Sequence, residues 1–292
     1  MKILNFGSIN QNYVYRVEHI AGPGETIAAE SFDILPGGKG ANQSVAIARA
    51  GGKVFHAGQV GKDAEWIVDK LRFNGVDTRH IAVCDSPSGH AVAQVDKKGL
   101  DSSVVFPGCN RETERSQIDE VMDNFDDRTI LLFQNEVGEI PYLMEKGRER
   151  GMTVCFNASP FEKSVLDYPM DLVDILVVNE TEAEGVVGNE SAYETFEKWN
   201  EMSTDIEIIV TRGKSGLIYY SSGGRIEMPA FATIPADATA AGDTFIGYYL
   251  TYRSPERDVR DTLKIAARAA AICVSRRGAM DAIPKKDELK TE

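Results

Sequence analysis

The sequence predicts an α/β protein with a mostly parallel central sheet, helices on both faces of that sheet, and a small additional β-sheet. Short apolar runs alternate with longer amphipathic stretches along most of the chain, which is the pattern of a buried parallel sheet and its crossover helices. Two segments, 10–35 and 89–106, interrupt this rhythm with period-two alternation and no helical pattern. The 292 residues can bury a core without disulfides, so one domain spanning 1–292 is expected.

The predicted strands of the large sheet are short, apolar runs: 3–6, 54–57, 130–133, 153–156, 175–178 and 208–210. Between them lie the predicted helices, 41–50, 64–73, 116–125, 140–150 and 192–202. Glycine follows three of these helices within two residues, at Gly51, Gly75 and Gly151, as is common where a helix ends in a left-handed conformation. In a sheet of this kind, ligands bind beyond the carboxyl ends of the strands.

The two segments without helices have turn signals at Gly22-Pro23-Gly24 and at Lys97-Lys98-Gly99. We expect them to pair into a small sheet that covers the active face as a lid, because such lids exclude water and complete a site. Two unrelated surface hairpins are the alternative.

Composition excludes several classes of function. A formal net charge of −13 opposes nucleic-acid binding, which depends on Lys and Arg neutralising phosphates. The sequence contains no apolar run of the length that a membrane helix requires, and its first ten residues lack the apolar run of a signal peptide, so a cytoplasmic location is expected. The four cysteines form no C-x-x-C pair and are interpreted as reduced thiols. The four histidines have no metal-ligand spacing.

The stretch TAAGDTFIG at 239–247 places three small residues and a carboxylate at the start of an apolar helix. The free N–H groups of a helix N-terminus attract anions, and Ala240, Ala241 and Gly242 allow close approach. Asp243 has two interpretations at this point. It is either a cap that complements the helix dipole or a general base beside an anion-binding site.

Two further strand ends carry polar residues. The sequence NETEAE at 179–184 directly follows a predicted strand, and its carboxylates suit either Mg²⁺ or a dipole-complementing first turn. The sequence TRGKSG at 211–216 suits either phosphate oxygens or a hairpin turn.

An early glycine-rich stretch, GGKGAN at 37–42, precedes a predicted helix. It is not a Walker A motif, and no G-x-G-x-x-G follows the first strand, so a dinucleotide-binding oxidoreductase is disfavoured. The glycines indicate close backbone approach to a compact polar ligand, and Asn42 has donors and acceptors suited to sugar hydroxyls.

Taken together, these motifs resemble the ribokinase-like (PfkB) carbohydrate kinases over nearly the whole chain. The matching stretches are GSIN at 7–10, GGKGANQ at 37–43, QNE at 134–136, NASP at 157–160, NETEAE at 179–184 and DATAAGDTF at 237–245.

The resemblance implies an ATP-dependent kinase in which Asp243 deprotonates the acceptor hydroxyl and the N–H groups of Ala241, Gly242 and Asp243 form an anion hole. General-base assistance of this kind contributes about 10²–10⁴-fold to the rate. By the same resemblance, the sugar-binding residues are Asn10, Asn12, Gly38, Lys39, Asn42 and Glu136. The nucleotide-binding residues are Asn179, Thr211, Gly213 and Gly216.

The resemblance also implies two cations and an oligomeric state. Glu182 would organise Mg²⁺. A monovalent cation, expected to be K⁺, would be held by Asp237 and by the carbonyls of Thr239, Cys273 and Gly278. The small sheet would serve as the lid through which members of this family often form a homodimer.

The implied substrates are ATP and a sugar, with phosphorylation of the primary hydroxyl of a pentose, D-ribose first. Asn12 stands where the family has an aspartate that contacts sugar hydroxyls, which leaves open another sugar, such as deoxyribose or a ketohexose, or a nucleoside. A non-catalytic sugar- or nucleotide-binding protein with the same fold is the alternative from another class.

Overall fold

The predicted apolar runs all lie within strands of the computed structural model, which describes residues 1–188, 191–201 and 206–290. The strands are β1 (Lys2–Phe6), β2 (Asn10–Arg16), β3 (Ser31–Gly37), β4 (Lys53–Gly61), β5 (Asp77–Cys84), β6 (Gly89–Val95), β7 (Asp101–Phe106), β8 (Thr129–Gln134), β9 (Thr153–Asn157), β10 (Ile175–Asn179), β11 (Glu207–Thr211), β12 (Leu217–Ser221) and β13 (Gly224–Met228). The α-helices are α1 (Lys39–Ala50), α2 (Glu65–Phe73), α3 (Arg115–Met122), α4 (Ile140–Glu149), α5 (Glu180–Val187), α6 (Ala192–Glu201), α7 (Ala241–Tyr252) and α8 (Val259–Val274).

Nine strands form the large sheet in the order β13-β12-β11-β10-β9-β8-β1-β4-β5. The pairs from β11 through β5 are parallel, and the pairs β11–β12 and β12–β13 at one edge are antiparallel, so that β12 runs opposite to the other strands. The strand order changes direction between β1 and β8, because β4 and β5 continue on one side of β1 while β8 begins the other side. Ligands of open α/β sheets bind at such a switch point.

Helices cover both faces of this sheet, as predicted. Successive side chains of a strand point to opposite faces, so that in β1 Ile3 packs with α1, α2, α7 and α8, whereas Leu4 and Phe6 pack with α3, α4, α5 and α6. Each face therefore has its own apolar core, and the interior strands are apolar on both sides.

The segments 10–35 and 89–106 do pair into a separate four-stranded sheet, with the order β3-β2-β6-β7. β2 pairs antiparallel with β3 and parallel with β6, and Asn10 lies opposite both Gly37 and Gly89. These three residues lie at one end of the small sheet. In the chain, Asn10 follows shortly after β1 and Gly37 comes shortly before α1. The alternative of two unrelated hairpins is wrong, because the strands of one segment pair with those of the other.

Some predicted boundaries differ from the structure. The helix predicted over 116–125 ends at Met122, because the chain tightens there into turns in which Asn124 N–H donates to Val121 O and Phe125 N–H to Met122 O. The helix predicted over 192–202 is confirmed through Glu201, and Met202 lies outside the described residues. Within the described part of the chain, no helix is long and apolar enough to cross a membrane.

Candidate active site

The start of α7 leaves backbone donors free beside open space. Its N-cap, Ala240, has a left-handed backbone with φ of 62°, a conformation that costs energy for a residue with a side chain. Among the described residues, the N–H groups of Gly242 and Asp243 have no acceptor, and apart from its chain neighbours and the backbone of its own helix no atom lies within 4 Å of where a Cβ on Gly242 would stand. The third predicted donor, the N–H of Ala241, donates to Ala238 O at 3.2 Å in this structure, and the anion hole formed by the three amides stays a prediction.

The Asp243 carboxyl is buried, at 9% exposure, and α1 supplies its hydrogen bonds. Gln43 Nε2 donates to Oδ1 at 2.9 Å, and Asn42 Nδ2 donates to Oδ2 at 3.1 Å. The carboxyl accepts no bond from the first-turn N–H groups of its own helix, so the capping interpretation lacks its defining contact. Burial raises the pKa of Asp243, although Lys39 and the two amides oppose that shift.

Lys39 and Glu136 join Asp243 at the switch point between β1 and β8. Glu136, just beyond β8, accepts a hydrogen bond from the Lys39 backbone N–H at 3.2 Å and a short one from Ser8 Oγ. Burial raises the pKa of Glu136. Burial acts to lower the pKa of the Lys39 ammonium, but the carboxylates of Asp243, Glu136 and Glu182 outweigh it and raise that pKa. Lys39 is therefore a cation whose charged form is stabilised by three acids.

The glycines at the start of α1 pack against the protein's own backbone. A Cβ on Gly40 would lie 2.3 Å from Gly7 Cα, and one on Gly38 would lie 2.6 Å from Ser8 O. Gly38 also has φ of 93°, which favours glycine. These glycines allow the start of α1 to approach the loop after β1 closely, and the predicted approach to a ligand stays a prediction.

The two asparagines of β2 lie beside this loop. Asn10 is buried, and its Oδ1 accepts a hydrogen bond from Asn110 Nδ2 at 2.7 Å. Asn12 is half-buried, and its amide lies so close to Gly37 that a Cβ there would stand 2.4 Å from Asn12 Nδ2. The small sheet thus places the Asn10 amide beside the loop after β1 and packs the Asn12 amide against Gly37 of β3.

Asn179 and Glu182 form a reciprocal capping box at the start of α5. Glu182 N–H donates to Asn179 Oδ1 at 2.8 Å, and Asn179 N–H donates to Glu182 Oε2 at 2.9 Å. This geometry supports the capping interpretation of the motif. Glu182 Oε1 has no hydrogen-bond partner among the described residues, and its carboxylate acts on Lys39. One oxygen is therefore used for the cap, and the other accepts no hydrogen bond from the described residues.

The turn after β11 brings Thr211 and Gly213 to the same edge of the sheet as Asn179, since β10 and β11 pair in register at Asn179 and Thr211. The space in front of Gly213 is open. Gly216 differs, because a Cβ there would lie 2.0 Å from Met228 O. The hairpin interpretation accounts for Gly216, whereas Gly213 borders open space.

The residues predicted for a monovalent cation are neighbours. Asp237 accepts hydrogen bonds from Thr239 N–H at 2.9 Å and from Gly278 N–H at 3.1 Å, and Cys273 Sγ donates to Thr239 O at 3.7 Å. Within the described ranges, no group of three His, Cys, Asp or Glu side chains could hold a metal ion.

Sequence reasoning missed Gln43, Ser8 and Asn110, whose side chains contact the predicted site residues. A signal was present for Gln43, because it follows Asn42 in a helix whose residues Gly40 to Ile47 are all buried. A buried glutamine requires hydrogen-bond partners, but nothing local in the sequence identifies them.

Comparisons with known proteins identify the family of this chain. Residues 1–286 match the model of the pfkB family of carbohydrate kinases. The ribokinase of Haemophilus influenzae is 32% identical, with 97% of this chain and 95% of that protein covered. The deoxyribokinase of Salmonella typhi is 28% identical, with 99% and 97% covered. A crystal structure of ribokinase from Cryptococcus neoformans in complex with ADP has a TM-score of 0.83 at 30% identity, covering 99% of this chain and 98% of that one. The chain belongs to the pfkB family of carbohydrate kinases.

Proposed function

We propose that this protein transfers the γ-phosphate of ATP to the primary hydroxyl of a pentose, with D-ribose as the first candidate. One observation carries the proposal: the buried Asp243 carboxyl lies one residue from the free N–H and open space at Gly242. A proton acceptor and anion-binding donors thus lie together. The relative from Haemophilus influenzae, a ribokinase, supports ribose as the substrate.

In this proposal Asp243 accepts the proton of the sugar hydroxyl as that oxygen attacks phosphorus. Burial raises the pKa of the carboxyl and so makes it a stronger base, provided that it stays ionised. Lys39 keeps it ionised, because its charge favours the carboxylate form. The N–H groups of Gly242 and Asp243 stabilise charge on the transferring phosphoryl group.

The sugar would be held at the switch point. Glu136 offers a carboxylate to sugar hydroxyls, Lys39 and Asn42 offer donors, and Asn10 and Asn12 close the site from the small sheet. Gly38 contributes its backbone. Since the Oδ1 of Asn42 is buried without a partner, a bound hydroxyl would satisfy it.

The nucleotide would lie along the ends of β10 and β11, beside Asn179, Thr211 and Gly213. Mg²⁺ binds proteins through one or two carboxylates plus substrate phosphates, and the free Oε1 of Glu182 fits that donor set. The ion would neutralise phosphate charge during transfer. K⁺ would be bound by Asp237 and neighbouring carbonyls, just before the start of α7.

We also infer that the small sheet acts as a lid and as a dimer interface. One of its faces carries the exposed apolar side chains Phe32, Ile34, Val92, Val104 and Phe106, of which Val104 is 73% exposed. An apolar face of this kind marks an interaction surface, and a second copy of the chain is the expected partner. Val104→Asp should shift a dimer to monomer in sedimentation velocity, whereas Leu100→Asp, in the turn between β6 and β7, should not.

The proposal is tested by measuring ADP release with a panel of sugars and nucleosides. D-ribose should be the best acceptor, with phosphate found on its primary hydroxyl. A clear preference for deoxyribose would instead support the alternative acceptor that Asn12 leaves open and that fits the likeness to a deoxyribokinase. The absence of turnover with every free pentose would overturn the proposal.

A further inference from the structure

A chain of buried polar groups lies behind Asp243 and involves none of the residues assigned above to substrates. Gln43 Oε1 accepts from Gln134 Nε2 at 2.7 Å, and the same Nε2 donates to Asn5 Oδ1 at 3.0 Å. Asn5 Nδ2 donates to Ser44 Oγ at 2.9 Å, and Ser44 Oγ lies 2.8 Å from His56 Nδ1. The five side chains link α1, β1, β4 and β8, and all of them are fully buried.

The direction of these hydrogen bonds is determined at His56. Its Nε2 lies 3.0 Å from the Gly7 carbonyl, which only accepts, so Nε2 carries the proton. Burial lowers the pKa of His56 to about 4, and the ring is therefore neutral at pH 7 with Nδ1 as an acceptor. Ser44 O–H donates to Nδ1, and Ser44 Oγ accepts from Asn5. The side-chain amides of Asn5, Gln134 and Gln43 then each have one allowed orientation.

A second anchor fixes Gln43 from the opposite side. Asn157 Nδ2 donates to the Val177 carbonyl at 3.0 Å, so its Oδ1 faces Gln43 and accepts from Nε2 at 3.1 Å. The two hydrogens of Gln43 Nε2 are then directed to Asn157 Oδ1 and Asp243 Oδ1, and its Oε1 is held by Gln134. Turning this amide over would place its oxygen against two acceptors.

The amide on the other oxygen of Asp243 is held less firmly. Asn42 Nδ2 donates to Oδ2 at the longer distance of 3.1 Å, and Asn42 Oδ1 is buried without a partner among the described residues. The carboxyl therefore has one oxygen bound to a fixed donor and one bound to a donor that can turn.

We propose that Gln43 is a positioning residue for phosphoryl transfer: its fixed amide holds Oδ1 of Asp243 and so directs Oδ2 toward the acceptor hydroxyl as the proton-accepting oxygen. This inference rests on the proposed role of Asp243 as the general base. It assigns Gln134, Asn5, Ser44 and His56 the task of fixing the orientation of Gln43.

The titratable groups around the Asp243 carboxyl are Lys39 on α1, Glu136 beyond β8 and Cys273 on α8. None of them contacts Gln43 through a hydrogen bond. The acidic limb of the pH profile of kcat reports the ionisation of the base in the enzyme–substrate complex. Loss of an N–H bond to the charged form raises the pKa of the acid that accepts it, so a change at Gln43 should be visible in that limb.

The test is Gln43→Met, which keeps length and volume but removes the donor. We expect kcat at pH 7 to fall by about 10- to 100-fold, the acidic limb to move upward by about one pH unit, and KM for the sugar to change little. Gln43→Asn keeps an amide but is one methylene too short to reach both Gln134 and Asp243, and it should shift the limb in the same direction. Sugar binding by calorimetry checks that each variant is folded.

Gln59→Met is the matched control. Gln59 is a buried glutamine of β4 whose Nε2 also donates two hydrogen bonds, to Glu112 O and Gln117 Oε1, each at 2.9 Å, but it does not contact Asp243. Its loss should lower stability without moving the acidic limb. An unshifted limb in folded Gln43 variants, or an equal shift in Gln59→Met, would overturn the assignment. If Asp243→Asn in the same assay retained full turnover, the proposed base itself would be wrong.

Discussion

Replacing Asp243 by asparagine should abolish most turnover while leaving the protein folded, and the structure explains both effects. The substitution is isosteric and removes the proposed proton acceptor. General-base catalysis contributes about 10²–10⁴-fold, which corresponds to about 2.7–5.4 kcal/mol of activation free energy. The new amide would keep its oxygen toward Gln43 Nε2. Its N–H₂ group would face Asn42, which can turn its unpartnered Oδ1 to accept.

The same substitution should raise the free energy of unfolding at neutral pH. Burial raises the pKa of Asp243 in the folded protein, so folding favours its neutral form. The neutral carboxyl contributes fully to the free energy of unfolding at pH values below the unfolded pKa of about 4. This contribution is lost as the pH rises through the higher pKa of the folded protein. A neutral asparagine avoids this loss. Thermal unfolding should therefore show that Asp243→Asn is at least as stable as the native protein at pH 7, with a smaller difference at pH 4.

The assays are ADP release, sugar-binding calorimetry and thermal unfolding. Asp174→Asn is the control, because Asp174 precedes the amino end of β10, where it accepts from Val154 N–H at 2.7 Å and pairs with Arg148, and it has no hydrogen bond to the described residues proposed to bind the sugar. That variant should lose a little stability, about 1 kcal/mol or less, and keep its turnover. Unchanged turnover in Asp243→Asn would show that Asp243 is not the base. A marked loss of stability would show that its charge is stabilising and that the electrostatic reasoning is wrong.

Three further outcomes are expected. Lys39→Met should move the acidic limb of kcat to higher pH, because loss of the cation raises the pKa of Asp243; an unmoved limb would refute this coupling. Gly40→Ala should cost about 1–3 kcal/mol in thermal unfolding, since its Cβ would meet backbone at 2.3 Å, whereas Gly223→Ala, with its nearest atom at 3.5 Å, should cost less than about 0.5 kcal/mol. Turnover should rise when K⁺ replaces a large organic cation, and Asp237→Ala should lose that response; equal rates in both salts would exclude a K⁺ site.

The sequence alone determined the layered fold. Strand and helix periodicity are local properties, so the apolar runs and amphipathic stretches identified six strands of the large sheet and the ends of most predicted helices, whereas the buried strand β12 and the helix α8 were not predicted. The glycine after α1 and the small residues before α7 were informative for the same reason, because a positive φ or an exposed first turn restricts the residue at that position. The pairing of segments 10–35 and 89–106 was also predicted, because both segments show period-two alternation and turn signals without a helical pattern.

Only the tertiary structure decided which polar groups meet. Gln43 and Asp243 are 200 residues apart, Lys39 and Glu136 are 97 apart, and Asn10 and Asn110 are 100 apart. The structure also showed that Ala241 N–H is already bonded, that Gly216 packs against backbone, and that Glu182 caps its own helix. A side chain's hydrogen-bond partner depends on the packing of α1 against α7 and on the order of the strands. Residue patterns along the chain report periodicity over a few turns, and they carry no record of such distant contacts.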